Sequence, residues 1–409
     1  MTMSLSMPAA LPLQEPTQHA ESVSANQSRE HTQSQTPILT FTGDGKEYFR
    51  IWVINLCLSL ATLGVYSAWA KVRRLQYFDR NTQLNGSPFN FHGNPMAIFK
   101  GRLVALVLFV AYHYAFGFSK AFGVAVISVL FLTLPWMLRS ALQFRLRNTS
   151  YRGVRFYFGG TLEGAYLSYT PLLALILLPA TTTALFPSNT VLIGMEFLVL
   201  YLSWPVIHAA MKRYQQAHIE YGNQSSFYDA TIFTLVKPYL LAFALAIGVM
   251  VLGGIAAVVA SLLTGVVAAA GGVKAAGPEF GTGFGIAIGL FVGVLYAYGV
   301  YLVAGPFLQV RIWNLVWSNT RFPTISIRSE LEFWPYLGLQ TKNLILTLLT
   351  LGLYRPFAVV SIYRYRLARM TLSSGSTNPF NHIVQSEHNQ QISATGDSSA
   401  DFFGIDLSF

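Results

Sequence analysis

Long apolar runs separated by short polar connectors dominate the chain. Six runs are each close to the ~20 residues that cross a bilayer as a helix. They lie at roughly 102–119, 121–138, 166–186, 190–210, 239–265 and 284–308. The runs form three pairs with short connectors, the third being a Gly/Ala-rich stretch around 266–283, so each pair predicts a helical hairpin. Two further apolar runs, 51–70 and 337–357, stand alone at the two ends of this region.

The two end runs are related to each other in sequence, but they do not fit helices that simply cross the membrane. Each contains a Thr-Leu-Gly sequence, at 62–64 and 350–352, and each has an asparagine seven residues earlier, Asn55 and Asn343. Both runs have basic residues on both sides. We therefore expect one or both runs to be re-entrant or interfacial segments that break at Thr-Leu-Gly, with protein covering the broken backbone. The alternative is full crossing, which gives eight ordinary spans.

Other motifs also recur along the chain. A Pro-aromatic pair is followed thirteen residues later by Asn-Thr, from Pro135 to Asn148 and from Pro306 to Asn319. The basic, aromatic stretch between these marks predicts a helix that continues from the span and lies along the headgroups. Short β-like segments with Gly and Asn turns follow, at 89–93, 155–160 and 321–327. The pattern predicts internal repeats with small β-like elements on one face.

Composition and charge placement favour a multi-pass membrane protein. Only 11% of the 409 residues are charged and 53% are hydrophobic, whereas soluble proteins carry about 25% charged residues. The net charge is +10, and most Lys and Arg residues of the connectors lie on one side of the hairpins, against only Lys120 and Lys274 on the other. The positive-inside rule predicts that these basic loops are cytoplasmic. Nucleic acid is therefore not an expected partner, whereas the bilayer and its anionic headgroups are.

Three regions are predicted from these patterns. Residues 1–40 are a polar tail expected to be disordered, residues 41–370 form a polytopic membrane domain of about six to eight spans, and residues 371–409 form a second polar tail with an acidic-aromatic end. The fold class is all-α membrane: a polytopic helical bundle of three hairpins plus two related end segments. The single cysteine excludes an intramolecular disulfide.

Several phrases resemble those of a known family, the YjgN-like bacterial inner-membrane proteins. They are Phe49-Arg-Ile-Trp-Val-Ile-Asn55, Thr62-Leu-Gly-Val-Tyr-Ser67, Trp69-Ala-Lys-Val-Arg-Arg74, the Asn81-Thr82 turn, Phe91-His-Gly-Asn-Pro95 and the acidic-aromatic C-terminus. The resemblance covers about 41–370 and the end of the tail, and Ala68 departs from the proline usual in the family. It implies a polytopic protein of the bacterial inner membrane, and it brings no catalytic or binding residues with it.

Four polar residues within apolar runs are the candidate site residues. Glu196 is interpreted as lying mid-span, where an ionisable group defaults to a functional hypothesis. His113 is a candidate to share a proton with it, although each of the two also has a structural interpretation as a hydrogen-bonding residue. Asn55 and Asn343 are expected to bond each other or the backbone of the Thr-Leu-Gly breaks, and helix association is favoured over ligand binding. No catalytic, cofactor or metal motif stands out.

The leading functional hypothesis is a transporter or channel-like protein for a small solute or lipid. It rests on the repeats and on Glu196. The alternative is a non-catalytic membrane scaffold or envelope-associated protein that binds partners on a basic cytoplasmic face. An intramembrane enzyme acting on lipid is the weakest alternative. Protein partners are not predicted from the sequence, which is also compatible with a homo-oligomer.

Overall fold

The computed structural model describes residues 37–270 and 278–374, with side chains described outside 256–257, 260–295 and 297–298. Along this part of the chain, two helices followed by short strands recur five times. The helices are α1 (Gly45–Ala61), α2 (Ser67–Asn81), α3 (Pro95–Phe118), α4 (Lys120–Asn148), α5 (Leu162–Leu185), α6 (Thr190–Gln216), α7 (Ile232–Ala270), α8 (Pro278–Ser318), α9 (Phe333–Leu349) and α10 (Arg355–Ala368).

The strands are short and pair antiparallel. They are β1 (Leu39–Phe41), β2 (Thr82–Leu84), β3 (Ser87–Phe91), β4 (Thr149–Tyr151), β5 (Val154–Phe158), β6 (Ile219–Tyr221), β7 (Gln224–Ser225), β8 (Phe227–Tyr228), β9 (Thr320–Arg321), β10 (Ile325–Ser329) and β11 (Met370–Ser374). β1 to β7 form one sheet in chain order, and β8 to β11 form a second. The prediction of an all-α fold is therefore incomplete, because the β-like segments build two sheets.

Both sheets pack on one apolar core, which we call the floor cluster. It consists of Leu84, Tyr151, Tyr221, Ile325 and Leu372, from β2, β4, β6, β10 and β11. The Tyr151 hydroxyl donates to the Leu84 carbonyl at 2.8 Å, and the Tyr221 hydroxyl donates to the Tyr151 carbonyl at 2.9 Å. The strands thus gather at one end of the molecule, here called the strand end, and their side chains fill its centre.

The helices form a closed ring above the strands. Each helix packs against its neighbours along the chain, and α10 packs against α1. Among the described residues, extensive helix packing is limited to these neighbouring pairs. The protein is therefore a ring of helical hairpins that stands on a floor of strands.

Five helices of the described part are long and apolar enough to cross a membrane. They are α3, α4, α5, α6 and the segment Ile232–Ile255 of α7. These helices match five of the six predicted runs. The sixth run, 284–308, falls in α8, where many side chains lie outside the described residues, as do residues 271–277 of the predicted 266–283 connector. We call α3–α4, α5–α6 and α7–α8 the long hairpins.

The two end runs form short hairpins, α1–α2 and α9–α10, which break at the predicted Thr-Leu-Gly sequences. Their helices contain 17, 15, 17 and 14 residues, fewer than the ~20 needed to cross. Phe41 pairs with Thr82, and Ser329 pairs with Met370. Each short hairpin therefore starts and ends at the strand end. The turns 62–66 and 350–354 between the helices are called the tips.

The recurring Asn-Thr pairs end helices. The side-chain amides of Asn81, Asn148 and Asn319 donate to the carbonyl four residues earlier at 2.7 to 2.9 Å, and the next threonine does the same at 2.8 to 3.0 Å. They satisfy carbonyls that a helix C-terminus leaves without a partner. The stretch before Asn148 continues α4 and is buried, with Leu142 and Phe144 at 1% exposure or less. The expectation that it lies along the headgroups is wrong, because protein covers it.

The described part begins and ends in strands. Leu39 and Thr40 belong to β1, and residues 371–374 belong to β11. These strands extend slightly beyond the predicted membrane domain of 41–370 into the two predicted tails. The remainder of each tail lies outside the described residues.

Candidate functional site

Glu196 lies close to the turn of a long hairpin. It is in the second turn of α6, which begins at Thr190 with the Asn189 side chain capping the helix. The Thr182 hydroxyl, near the end of α5, donates to Glu196 Oε1 at 2.8 Å. Glu196 Oε2 is buried without a hydrogen-bond partner in the described part of the chain. The interpretation that Glu196 lies mid-span is therefore wrong. Its carboxylate joins α5 and α6 close to the turn that connects them.

His113 lies on a different hairpin and does not meet Glu196. It is exposed on α3, where its ring stacks on Phe109 at 6.2 Å and meets the edge of Tyr114 at 4.9 Å. Helices α4 and α5 separate α3 from α6 in the ring. The structure thus gives no support to a proton shared by His113 and Glu196.

The two asparagines are buried in the short hairpins. The Asn343 amide donates to Ser361 Oγ at 3.0 Å and weakly to the Ala358 carbonyl, which joins α9 to α10. Asn55 occupies the matching place in α1 and is 7% exposed. The side-chain oxygen of each is buried without a described partner. Asn343 therefore acts between the helices of its own hairpin, rather than on Asn55 or on the broken backbone.

The tips have matching backbone geometry. Leu63 and Leu351 both have φ of 50°, and the following Gly64 and Gly352 have φ of 90° and 93°. The Thr62 and Thr350 hydroxyls accept from the amides of Tyr66 and Tyr354 at 3.0 and 2.9 Å. Within the described part of the chain the expected protein cover is missing, because Leu63 and Leu351 are 96% and 95% exposed.

The long hairpins offer mainly apolar side chains to their surroundings. Only 11% of the most apolar stretch of α3, and 6% of that of α6, is buried inside the protein. Hydroxyl groups on these helices bond to their own backbone: Ser128, Thr133, Thr181, Thr183 and Ser203 each donate to the carbonyl four residues earlier. Over their described residues, α3 to α6 thus form a single layer with few polar groups to offer a solute.

An apolar groove runs between α3 and α4 near their turn. Its lining consists of Leu106, Val107, Val110, Ala111, Tyr114, Ala115, Phe118 and Phe122. Because this lining is almost entirely carbon, the groove suits a hydrocarbon chain better than a polar ligand.

One polar cluster was missed by the sequence analysis. Asp79 of α2 faces Arg145 of α4 and Tyr363 of α10, so it joins three hairpins. Burial raises the pKa of Asp79 to about 6, and the Arg145 guanidinium opposes this. The Tyr363 hydroxyl shares a 2.9 Å hydrogen bond with Thr82, and burial raises its pKa to about 12. The available signal was that Asp79 is the only acidic residue in the basic stretch 71–81.

These features define a polytopic helical membrane protein with two antiparallel sheets at one end. The chain belongs to the family described as "Bacterial protein of unknown function (DUF898)", which matches residues 36–402. The family resemblance seen in the sequence is thereby confirmed. No solved structure matches the chain.

Three curated relatives are each named "Inner membrane protein YjgN". The protein of Salmonella typhimurium strain LT2 is 29% identical over 187 residues, 44% of this chain and 45% of its own length. Those of Escherichia coli O157:H7 and K12 are 30% identical over 131 and 129 residues, 31% and 30% of this chain and 32% and 31% of theirs. The matches thus span less than half of each relative. Together with the apolar helices, they support an inner-membrane location.

Proposed function

We propose that this protein is a lipid-binding membrane protein of transporter type, which takes up a long apolar molecule, a membrane phospholipid, within its helix ring. The observation that carries this proposal is the single layer of long hairpins, in which the most apolar stretches of α3 and α6 are only 11% and 6% buried by protein. A pathway for a polar solute needs polar groups along it. The hydroxyls of Ser128, Thr133, Thr181 and Thr183 are instead used by their own helices, and that of Thr182 is used by Glu196.

The floor cluster also favours lipid over a small solute. Tyrosine and aliphatic side chains from both sheets meet in the centre of the strand end. A water-filled passage along the ring axis has to pass this apolar cluster, which dewetting opposes. A lipid that enters the ring from the side, out of the membrane, does not have to pass the floor cluster.

Helix length supports an opening toward the membrane. α4 has 29 residues, whereas α2 and α10 have 15 and 14, and all three end at the strands. At ~1.5 Å per residue, α4 rises about 43 Å, and the short helices rise about 22 Å. Because α10 packs against α1, the two short hairpins lie side by side. The ring wall is therefore low on one side, where a lipid can reach its interior.

We further propose that the strand end and the basic connectors face the cytoplasm, and that the hairpin-plus-strand units are internal repeats. The excess of Lys and Arg at the strand end supports the orientation through the positive-inside rule. The matching helix-ending Asn-Thr pairs and the matching tips support the repeats.

The test is lipid retention by the purified full chain. The protein is extracted in mild detergent, stripped with excess detergent and examined by native mass spectrometry. In parallel, proteoliposomes are assayed for flux of a polar fluorescent solute. We expect at least one phospholipid to remain on each chain and the solute to stay inside. Solute flux without retained lipid would indicate a channel, and neither signal would indicate the scaffold alternative; either result refutes the proposal.

A pair of matched variants locates the lipid. Val110 lines the groove between α3 and α4, whereas Val104, with similar exposure on the same helix, does not. Val110→Trp should fill the groove and lower the retained lipid several-fold, while Val104→Trp should leave it unchanged. Equal effects of the two substitutions would exclude the groove as the binding place.

A further inference from the structure

Both tips satisfy their own backbone hydrogen bonds. From Thr62 to Ser67 every amide donates within the turn, to the carbonyls of Leu58, Leu60, Ser59, Thr62 and Gly64 and to the Thr62 hydroxyl. The amides from Thr350 to Arg355 repeat this arrangement residue by residue. In hydrocarbon, where water cannot serve as a partner, irregular backbone persists only if its polar groups are satisfied within the protein. The tips meet this requirement for their donors without cover from residues 37–270 or 278–374.

Leucine occupies a costly position in each tip. At φ of 50°, the left-handed conformation costs an L-residue with a Cβ about 1–2 kcal/mol, and Gly or Asn is the usual occupant. Leu63 and Leu351 take this conformation and leave their side chains almost fully exposed. At the strand end, the same conformation is taken by polar residues, Asn85 with φ of 49° and Arg152 with φ of 48°. A fully exposed leucine is favourable at such a site only if its surroundings are apolar.

A collar of aromatic and basic groups surrounds the base of the tips. The Tyr66 ring stacks on Trp69 at 6.2 Å, and the exposed Arg73 guanidinium lies 5.6 Å from the Tyr66 ring centre. Arg102, at the start of α3, donates to the Ser67 hydroxyl. In the other short hairpin, exposed Arg355 follows Tyr354 directly. Aromatic and basic residues at one level are typical of a membrane–water interface.

We infer that the two tips insert into the hydrocarbon of the leaflet nearest the strand end, while the collar of Arg73, Arg102 and Arg355 binds the headgroups of anionic phospholipids there. With 15 and 14 residues, α2 and α10 are shorter than a membrane-crossing helix, and both short hairpins return to the strand end. The adjacent long hairpins hold them at the membrane. The apolar tips suit the hydrocarbon, and the positive charges next to them attract the headgroups of an anionic leaflet.

Insertion depth is the first test. In a Cys57→Ser background, single cysteines at Leu63 and Leu351 carry a nitroxide in proteoliposomes. We expect oxygen to reach these labels several-fold better than a water-soluble nickel complex does. Asn85→Cys is the matched control, because it has the same backbone conformation at the strand end, and the nickel complex should reach it better. Leu60→Cys, which is helical and 69% exposed, repeats the test without a strained position. If the nickel complex reaches the labels at the tips as well as it reaches the label at Asn85, the inference is overturned.

Lipid class is the second test. A fluorophore at position 63 is exposed to spin-labelled phosphatidylglycerol or phosphatidylcholine at equal amounts in a mixed bilayer. We expect stronger quenching by phosphatidylglycerol. The preference should fall by up to about fivefold for each collar arginine removed, in Arg73→Gln and Arg355→Gln. The charge-matched control for each single variant is Arg80→Gln, an exposed arginine where α2 meets the strands, which should keep the preference. Equal quenching by the two lipids, or equal loss in the control, overturns anionic recognition.

These results are separate from lipid uptake by the ring. Tip insertion is measured at the tips alone, and lipid retention is measured with variants of the groove between α3 and α4. A chain that retains lipid but has water-exposed tips refutes the tip inference only. Inserted tips without retained lipid refute the proposed function only.

Discussion

The tip conformation predicts opposite effects for the same substitution at two glycines of one hairpin. Gly352 has φ of 93° in the tip, whereas Gly338 lies within helix α9. A Cβ added at either position meets no atom within 4 Å. Neither alanine therefore makes a steric contact, and the backbone conformation alone determines the sign of the change in stability.

The magnitudes follow from the two conformations. Gly338→Ala should stabilise the folded protein by about 0.5–1 kcal/mol, because alanine loses less backbone entropy in a helix. Gly352→Ala should destabilise it by about 1–2 kcal/mol, because the left-handed region opposes a Cβ. Gly64→Ala, with φ of 90° in the other tip, should match Gly352→Ala.

The assay is reversible unfolding of the full chain in mixed micelles with increasing SDS, followed by helicity. Gly338→Ala should have a higher unfolding free energy than the native protein, and Gly352→Ala should have a lower one. If Gly352→Ala is as stable as the native protein, the turn does not have the described conformation. If Gly338→Ala is the less stable of the two, backbone conformation does not control these positions.

Three further predictions concern polar groups. Burial raises the pKa of Asp79 from 3.8 to about 6, so the folded state binds the Asp79 proton more tightly than the unfolded chain does. The free energy of unfolding should therefore fall by roughly 2–3 kcal/mol as pH rises from about 4 to 6. Asp79→Asn should remove this dependence of thermal stability on pH, and a variant with the same pH profile as the native protein would exclude the assignment. Asn148→Leu should lower the unfolding free energy by about 1–2 kcal/mol through the lost helix-ending bond, and a neutral result in SDS titration contradicts that role. A double-mutant cycle of Thr182→Val and Glu196→Ala should give a coupling near 0.6 kcal/mol, whereas zero coupling means that the bond does not form in the membrane.

The long hairpins and the tips were predictable from the sequence for physical reasons. A span needs a long apolar run, which composition alone displays, and five of the predicted runs are found as apolar helices. The Thr-Leu-Gly break was recognised because the same sequence occurs twice at matched positions. Its internal hydrogen bonds were not foreseen, since they depend on the left-handed conformation of leucine.

The predicted β-like segments at 89–93, 155–160 and 321–327 overlap β3, β5, β9 and β10, but the remaining strands, the strand pairing and the ring could not be predicted in the same way. Strands such as Thr82–Leu84 and Thr149–Tyr151 have three residues, too few for an alternating pattern to identify them. Their pairing joins segments far apart in the sequence, as in Ser329 with Met370. The closure of the ring by α10 against α1 likewise joins the two ends of the domain.

The positions and partners of the site residues also could not be predicted from the sequence alone. Glu196 was interpreted as lying mid-span, although the predicted run 190–210 and the helix α6 both begin at Thr190, which puts Glu196 near the hairpin turn. The pairing with His113 failed because order around the ring, rather than hydrophobicity, decides which helices meet. Asp79 was missed because a single acidic residue in a basic stretch looks like part of a solvated face.

Three hairpins are expected to cross the membrane, and two are expected to enter and return. Single cysteines in a Cys57→Ser background, treated with a membrane-impermeant maleimide, test this most directly. In intact spheroplasts we predict reaction at Ser188, in the turn of a long hairpin, and none at Leu351 or Asn85. After permeabilisation Asn85 should react. Reaction of Leu351 from outside would mean that a short hairpin crosses, and reaction of Asn85 from outside would mean that the orientation is inverted.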